Sequence, residues 1–180
     1  HVGGTNQHKP KGFNFLDHGL KPIKIHIWLD WIFINFNGKA KKFEEYAKPL
    51  IKRFYDIDLT KLKYVATLDF GTINTNWKFL IENFIEPYHV QFVHKTTTNQ
   101  PLKDHYTFVD GKCYGSGIDV ENEDDKNDSA LSVTSRYLSL FPNFIIGTYF
   151  PNQVGVYLNI PISPGVTSQK RIIYTTDSKQ

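Results

Sequence analysis

Apolar residues along the chain change period repeatedly, and each change marks an element. Ile23, Ile25 and Ile27 alternate with Lys24 and His26, the period-two signature of a half-buried strand. Trp31, Phe33 and the residues to Phe36 form a second apolar run, and Leu29-Asp30 between them predicts a hairpin turn, without the usual Gly. Phe43, Tyr46, Ala47, Leu50, Ile51 and Phe54 then recur at helical spacing. Pro49 should distort or interrupt that helix, because it lacks a backbone donor and crowds the preceding turn. Leu62, Tyr64, Ala66, Leu68 and Phe70 alternate again and predict a strand over 62–70, ended by Gly71.

Asn74, Thr75 or Asn76 can cap the next helix, predicted to run from Trp77 toward His89 with Trp77, Leu80, Ile81 and Phe84 as its apolar stripe. From Tyr106 onward the pattern is all β. Asp110-Gly111 between two short runs predicts a hairpin. Further strands are expected at Phe144–Phe150, Val154–Ile160 and Arg171–Thr176, with turns at Pro151-Asn152 and Pro164-Gly165. Residues 1–19 read as loop, and the acidic run at 121–128 as a solvated loop. Consecutive antiparallel strands with one or two helices give an α+β fold, in which a sheet wraps around a helix and leaves an apolar pocket.

Composition narrows the functional classes. The 180 residues suffice for one domain with a sizeable core, and 15% aromatic content means a core rich in rings. Lys+Arg 21 against Asp+Glu 18 leaves a net charge of +3, too mild to imply nucleic acid. No apolar run is long enough to span a bilayer and no signal-peptide pattern opens the chain, so a cytoplasmic protein without a membrane partner is expected. Cys113 is the single cysteine, which excludes an internal disulfide framework and any cluster held by several cysteines of this chain. The chain starts at His1 and has no Met, as expected of a fragment, a processed product or a sequence lacking modified methionines.

The chemistry concentrates in residues 76–94, NWKFLIENFIEPYHVQFVH. Glu86 and His89 stand three apart and share a face if the helix continues. His89 and His94 stand five apart, roughly 140° around an ideal helix, so they meet one metal only if the helix distorts or ends between them. Pro87, Val90 and Val93 make that ending reasonable. Two neutral imidazoles and one carboxylate form the facial triad of non-heme Fe(II) oxygenases, which leaves positions open for dioxygen and substrate. By spacing alone a pair of surface or hydrogen-bonded histidines is the more common outcome. A zinc hydrolase would need His-Glu-x-x-His, which is absent.

The segment resembles the mononuclear-iron motif of the Rieske-type, aromatic ring-hydroxylating oxygenase α-subunits. Its parts stand in order as Asn76-Trp77-Lys78, Glu82-Asn83-Phe84, Glu86-Pro87-Tyr88-His89 and His94, and the WIFINF run and the later FPN and IPISPG turns agree. The resemblance implies a helix-grip catalytic domain over 39–180, truncated at its C-terminus, preceded over 1–38 by remnant strands of a Rieske domain. It implies His89 and His94 as iron ligands, Glu86 as the acidic link to a Rieske cluster in a neighbouring subunit, and Asn83 near the iron. Most ring dioxygenases have Asp where Glu86 stands; Glu followed by Pro87 looks more like the branch that oxidises quaternary ammonium substrates such as choline, carnitine and betaines.

The cofactors so implied are mononuclear Fe(II) and a [2Fe-2S] Rieske cluster in a missing N-terminal part. The partners are a small aromatic or quaternary ammonium substrate, an electron-transfer reductase using NAD(P)H, with or without a ferredoxin, and two further copies in a homotrimer. The sequence departs from the family by lacking the Cys-x-His and Cys-x-x-His pairs and the Asp ligand of a C-terminal helix. Asp104, Asp110 and Asp119 are the substitute ligands to consider. Otherwise Cys113 reads as a half-buried residue beside a hairpin, Tyr88 and Tyr106 as packing near the site, and Trp77 as a helix anchor. The competing classes are a metal-free helix-grip module for small ligands and a fragment with no activity of its own.

Overall fold

The computed structural model of the chain describes residues 12, 14–94, 102–119, 134–150 and 152–176. The acidic run at 121–128 and Pro151 lie outside the described residues. Contacts divide the chain into two units, His1–Phe43 and Glu44–Gln180.

The first unit is a hairpin of β1 (Lys24–Trp28) and β2 (Trp31–Asn35), paired antiparallel from Lys24↔Asn35 to Trp28↔Trp31. Leu29 supplies the turn with φ 55°, a left-handed conformation costly for a side chain with a Cβ. The alternation predicts both strands but not which face is covered. Ile25, Ile27, Ile32 and Ile34 stand exposed on one face. The other face gathers the rings: His26 stacks on Phe43 at 4.3 Å, Phe33 meets Phe43 at 4.5 Å, and Trp28 meets Trp31 at 5.4 Å. Aromatic side chains bury more area per residue than isoleucine and so claim the packed side.

The second unit is a seven-stranded antiparallel sheet in the order β3-β9-β8-β7-β6-β5-β4. Its strands are β3 (Lys63–Ile73), β4 (Tyr106–Asp110), β5 (Cys113–Ile118), β6 (Ser135–Leu140), β7 (Phe144–Phe150), β8 (Gln153–Ser163) and β9 (Val166–Thr175). Gly71 does not end β3: it takes φ 67° at a bulge, its N–H donates to Asp69 Oδ1 at 2.9 Å, and pairing resumes at Thr72↔Ser168. The strand β6, which the sequence reading passed over, brings Leu138 and Leu140 to one face and Tyr137 and Ser139 to the other.

Each face has its own cover. The predicted helix over 43–54 is broken, as Pro49 requires, into α1 (Phe43–Tyr46) and α2 (Lys48–Ile51) with a 3-10 turn over Lys52–Phe54. Pro49 sits in the first turn of α2, where a missing N–H costs nothing. This segment lies over the face that carries Leu138, Leu140, Ile146 and Val156. Arg53 stacks on Phe108 at 3.5 Å, and Arg136, 2% exposed, forms a bidentate pair with Asp56 at 2.8 and 2.9 Å. Burial pulls the Arg136 guanidinium down, but the Asp56 hydrogen bonds and charge outweigh it and hold the cation.

The opposite face receives α3 (Trp77–Ile85). Its N-terminus is tied to the β8–β9 hairpin twice: Asn76 Nδ2 donates to the Pro164 carbonyl at 2.7 Å, and the buried Thr167 hydroxyl donates to the Thr75 carbonyl at 2.8 Å. Near its other end Phe84 packs edge-on to Tyr137 at 5.8 Å and against Tyr157 at 5.0 Å.

Candidate metal site

The helix predicted to reach His89 stops at Ile85. Pro87 disfavours helical geometry in the residue before it, and Glu86 is accordingly extended, with φ −89° and ψ 134°. Glu86 then serves the next turn. With Pro87 at its first position, Glu86 Oε2 accepts from the His89 backbone N–H at 3.2 Å, and Val90 N–H donates to the Pro87 carbonyl at 3.1 Å. A single turn of helix follows, α4 (Val90–Val93), flanked by His89 and His94.

This break resolves the spacing problem. Five residues apart on one straight helix, the imidazoles would diverge; at the two ends of a one-turn helix their ring centroids lie 5.2 Å apart at 72°. His94 closes that turn with φ −102° and ψ 25°, outside regular helix. Glu86 Oε1 also touches His89 Nδ1. A carboxylate there accepts a hydrogen bond from Nδ1–H, which leaves the Nε2 lone pair for a ligand, the usual support for a metal-binding histidine. With a metal–imidazole bond of about 2.1 Å, one ion shared by two imidazoles keeps their centroids about 4.5–5.5 Å apart. The observed separation fits a shared divalent ion.

Other candidates are placed elsewhere. Asp110 pairs with Arg53 at 3.5 Å and Asp119 with Arg136 at 3.6 Å, both across the sheet from α3. Among the described residues no group of three His, Cys, Asp or Glu could hold a metal. Asn83 is on the exposed side of α3. Tyr88, expected as packing, is 65% exposed and its ring meets Phe92 at 5.6 Å, because the early end of α3 turns it outward. Tyr106 lies on the α2 side of the sheet, its ring over Gly117. Cys113 is fully buried rather than half-buried, and burial pushes its thiol up to about 11. The sequence reading missed Tyr137, Tyr157 and Gly147, which seat Phe84, and Gly155, which pairs with Gly147. Their signal was two glycines inside strand patterns, a mark of close approach by another group.

Residues 43–177 match the family described as ring hydroxylating alpha subunit (catalytic domain). The chain belongs to that family. It is 32% identical over 94 residues to the salicylate 5-hydroxylase large oxygenase component of Ralstonia sp, covering 51% of this chain and 22% of that one. It is 24% identical over 182 residues to the chloroplastic choline monooxygenase of Arabidopsis thaliana, covering 91% of this chain and 42% of that one. The fold matches the quaternary ammonium Rieske monooxygenase CntA with a TM-score of 0.71 at 17% identity, over 94% of this chain and 46% of that one. The chain thus spans less than half the length of these relatives. The proteins of that family are ring-hydroxylating oxygenase subunits. Among the described residues no helix is long and apolar enough to cross a membrane.

Proposed function

We propose that this chain is the part of a Rieske-type oxygenase α-subunit that carries the mononuclear iron, with His89 and His94 as its two imidazole ligands. The observation that carries the reading is the pair of rings held 5.2 Å apart with Glu86 against the inner nitrogen of His89. Bound there, ferrous iron would supply the activation of dioxygen for hydroxylation.

The residues of this chain do the rest. Glu86 fixes the tautomer and orientation of His89 through two contacts, one to the backbone and one to the ring. Its carboxylate is the route by which electrons from a neighbouring copy would arrive, and Asn83 stands three residues before it on α3. A Rieske cluster needs two Cys and two His. A chain with Cys113 alone cannot hold it, so the cluster would lie on residues outside these 180. The electrons would come from NAD(P)H through a reductase, with or without a ferredoxin, in a homotrimeric, cytoplasmic assembly. The substrate is a small aromatic or quaternary ammonium molecule. A pocket lined by aromatic rings would stack on an aromatic substrate or attract a quaternary ammonium cation.

The test is anaerobic Fe(II) titration of the chain and of His89→Ala and His94→Ala. Each substitution is expected to weaken binding by at least about tenfold. Unchanged binding in both variants overturns the assignment.

A further inference from the structure

The position of the imidazole pair depends on where α3 ends, and the structure shows what fixes that end. On the α3 side of the sheet Gly147 and Gly155 face each other across β7 and β8. The missing side chain of Gly147 leaves a hollow that the Phe84 ring fills, beside Tyr137 at 5.8 Å and Tyr157 at 5.0 Å. The fit is close: a Cβ on Gly147 would come within 2.9 Å of the Phe84 ring and 2.5 Å of the Arg136 carbonyl. Phe84 is two residues before Glu86, and Glu86 holds both the backbone and the ring of His89. The far end of α3 is pinned independently by Asn76 and Thr167. The helix therefore cannot slide or roll without lifting Phe84 from its seat.

We propose that Phe84, seated over the Gly147 hollow, is a positioning residue for the metal site, setting the place of Glu86 and His89 relative to the sheet. It acts through the helix end and touches no metal. This inference rests on the metal-site reading above and adds to it a residue that neither ligates nor hydrogen-bonds. Its consequence is an effect on metal affinity that stability alone does not explain.

The test uses the 180-residue chain and Co(II) alone as the probe, following both affinity and the visible absorption of the bound ion. F84A is expected to weaken Co(II) binding about tenfold and to shift the spectrum, since misplaced ligands change both strength and geometry. F84L, which refills much of the hollow, should return to within about threefold of wild type. Y157A, which removes one wall of the seat and leaves α3 untouched, should weaken binding in the same direction and serves if F84A does not fold. L138A is the control: Leu138 is fully buried on the opposite face of the same strand as Tyr137, so its truncation lowers the melting temperature without moving α3. Wild-type affinity in F84A or Y157A overturns the proposal, as does an L138A defect as large as that of F84A. Failure of the wild-type chain to bind Co(II), or undiminished binding in H89A, instead overturns the site reading beneath it.

Discussion

Asn76 opens the motif that carries the family resemblance, yet its geometry gives it a mechanical task. Its Oδ1 accepts from the Lys78 N–H at 2.9 Å, the standard cap of α3, while its Nδ2 reaches the Pro164 carbonyl at 2.7 Å, 88 residues away. Asn76→Ala removes both. The cap is worth about 1 kcal/mol. Pro164 is exposed, so water replaces the lost donor, which holds the link to about 0.5–1 kcal/mol. Together they predict a loss of about 1.5–2 kcal/mol, or about 3–8 °C in melting temperature for a domain of this size.

Asn76→Ser separates the parts, because a hydroxyl still caps the helix but is too short to reach Pro164; it should lose only the smaller share. Urea denaturation of the three proteins, followed by far-UV circular dichroism, measures all of this. If Asn76→Ser is as stable as wild type, the link to the β8–β9 hairpin contributes nothing. If Asn76→Ala costs less than about 0.5 kcal/mol, the account of α3 as a helix pinned at its N-terminus fails.

Three further outcomes follow from contacts elsewhere. Glu86→Gln keeps an acceptor for the His89 N–H but removes the charge at Nδ1; Fe(II) affinity should fall about tenfold in anaerobic titration with little change in stability, and an unchanged affinity counts against Glu86 as the support of His89. Asp56→Ala leaves the nearly buried Arg136 guanidinium with only the longer Asp119 contact and should cost about 2 kcal/mol, less than for a fully stranded charge because Asp119 remains and Asp56 is 38% exposed, whereas Arg136→Met removes the charge itself and should cost less in the same urea titration. Burial raises the Cys113 thiol from 9.0 to about 11, so the folded state keeps a proton that the unfolded chain releases. That stability is present below pH 9 and is lost as pH rises from about 9 to 11, a decline that should be shallower in Cys113→Ala, with the part due to the buried Tyr46 and Tyr106 remaining.

Sequence alone determined more of the elements than of their arrangement. Alternation announced β1 and β3, apolar runs between turn signals announced β2 and the strands after Tyr106 except β6, and the 3.6-residue stripe of Trp77, Leu80, Ile81 and Phe84 announced α3, because each pattern is a direct projection of local backbone geometry. Proline chemistry marked the break at Pro49 and flagged Pro87, although the helix ends at Ile85, short of the predicted His89. The order of residues from Asn76 to His94 identified the histidines as a pair worth testing, and the family with it. Local pattern could not say which face of the β1–β2 hairpin is packed, since both faces alternate equally well, nor that Gly71 bends β3 rather than ending it, since that depends on β9 resuming the ladder. It left open whether His89 and His94 converge. The separation of their rings depends on the turn that follows once α3 ends at Ile85, and Phe84 at that end packs against Gly147, more than sixty residues away in sequence. Contacts between distant segments depend on the sum of the packing, and no window of neighbouring residues contains that sum.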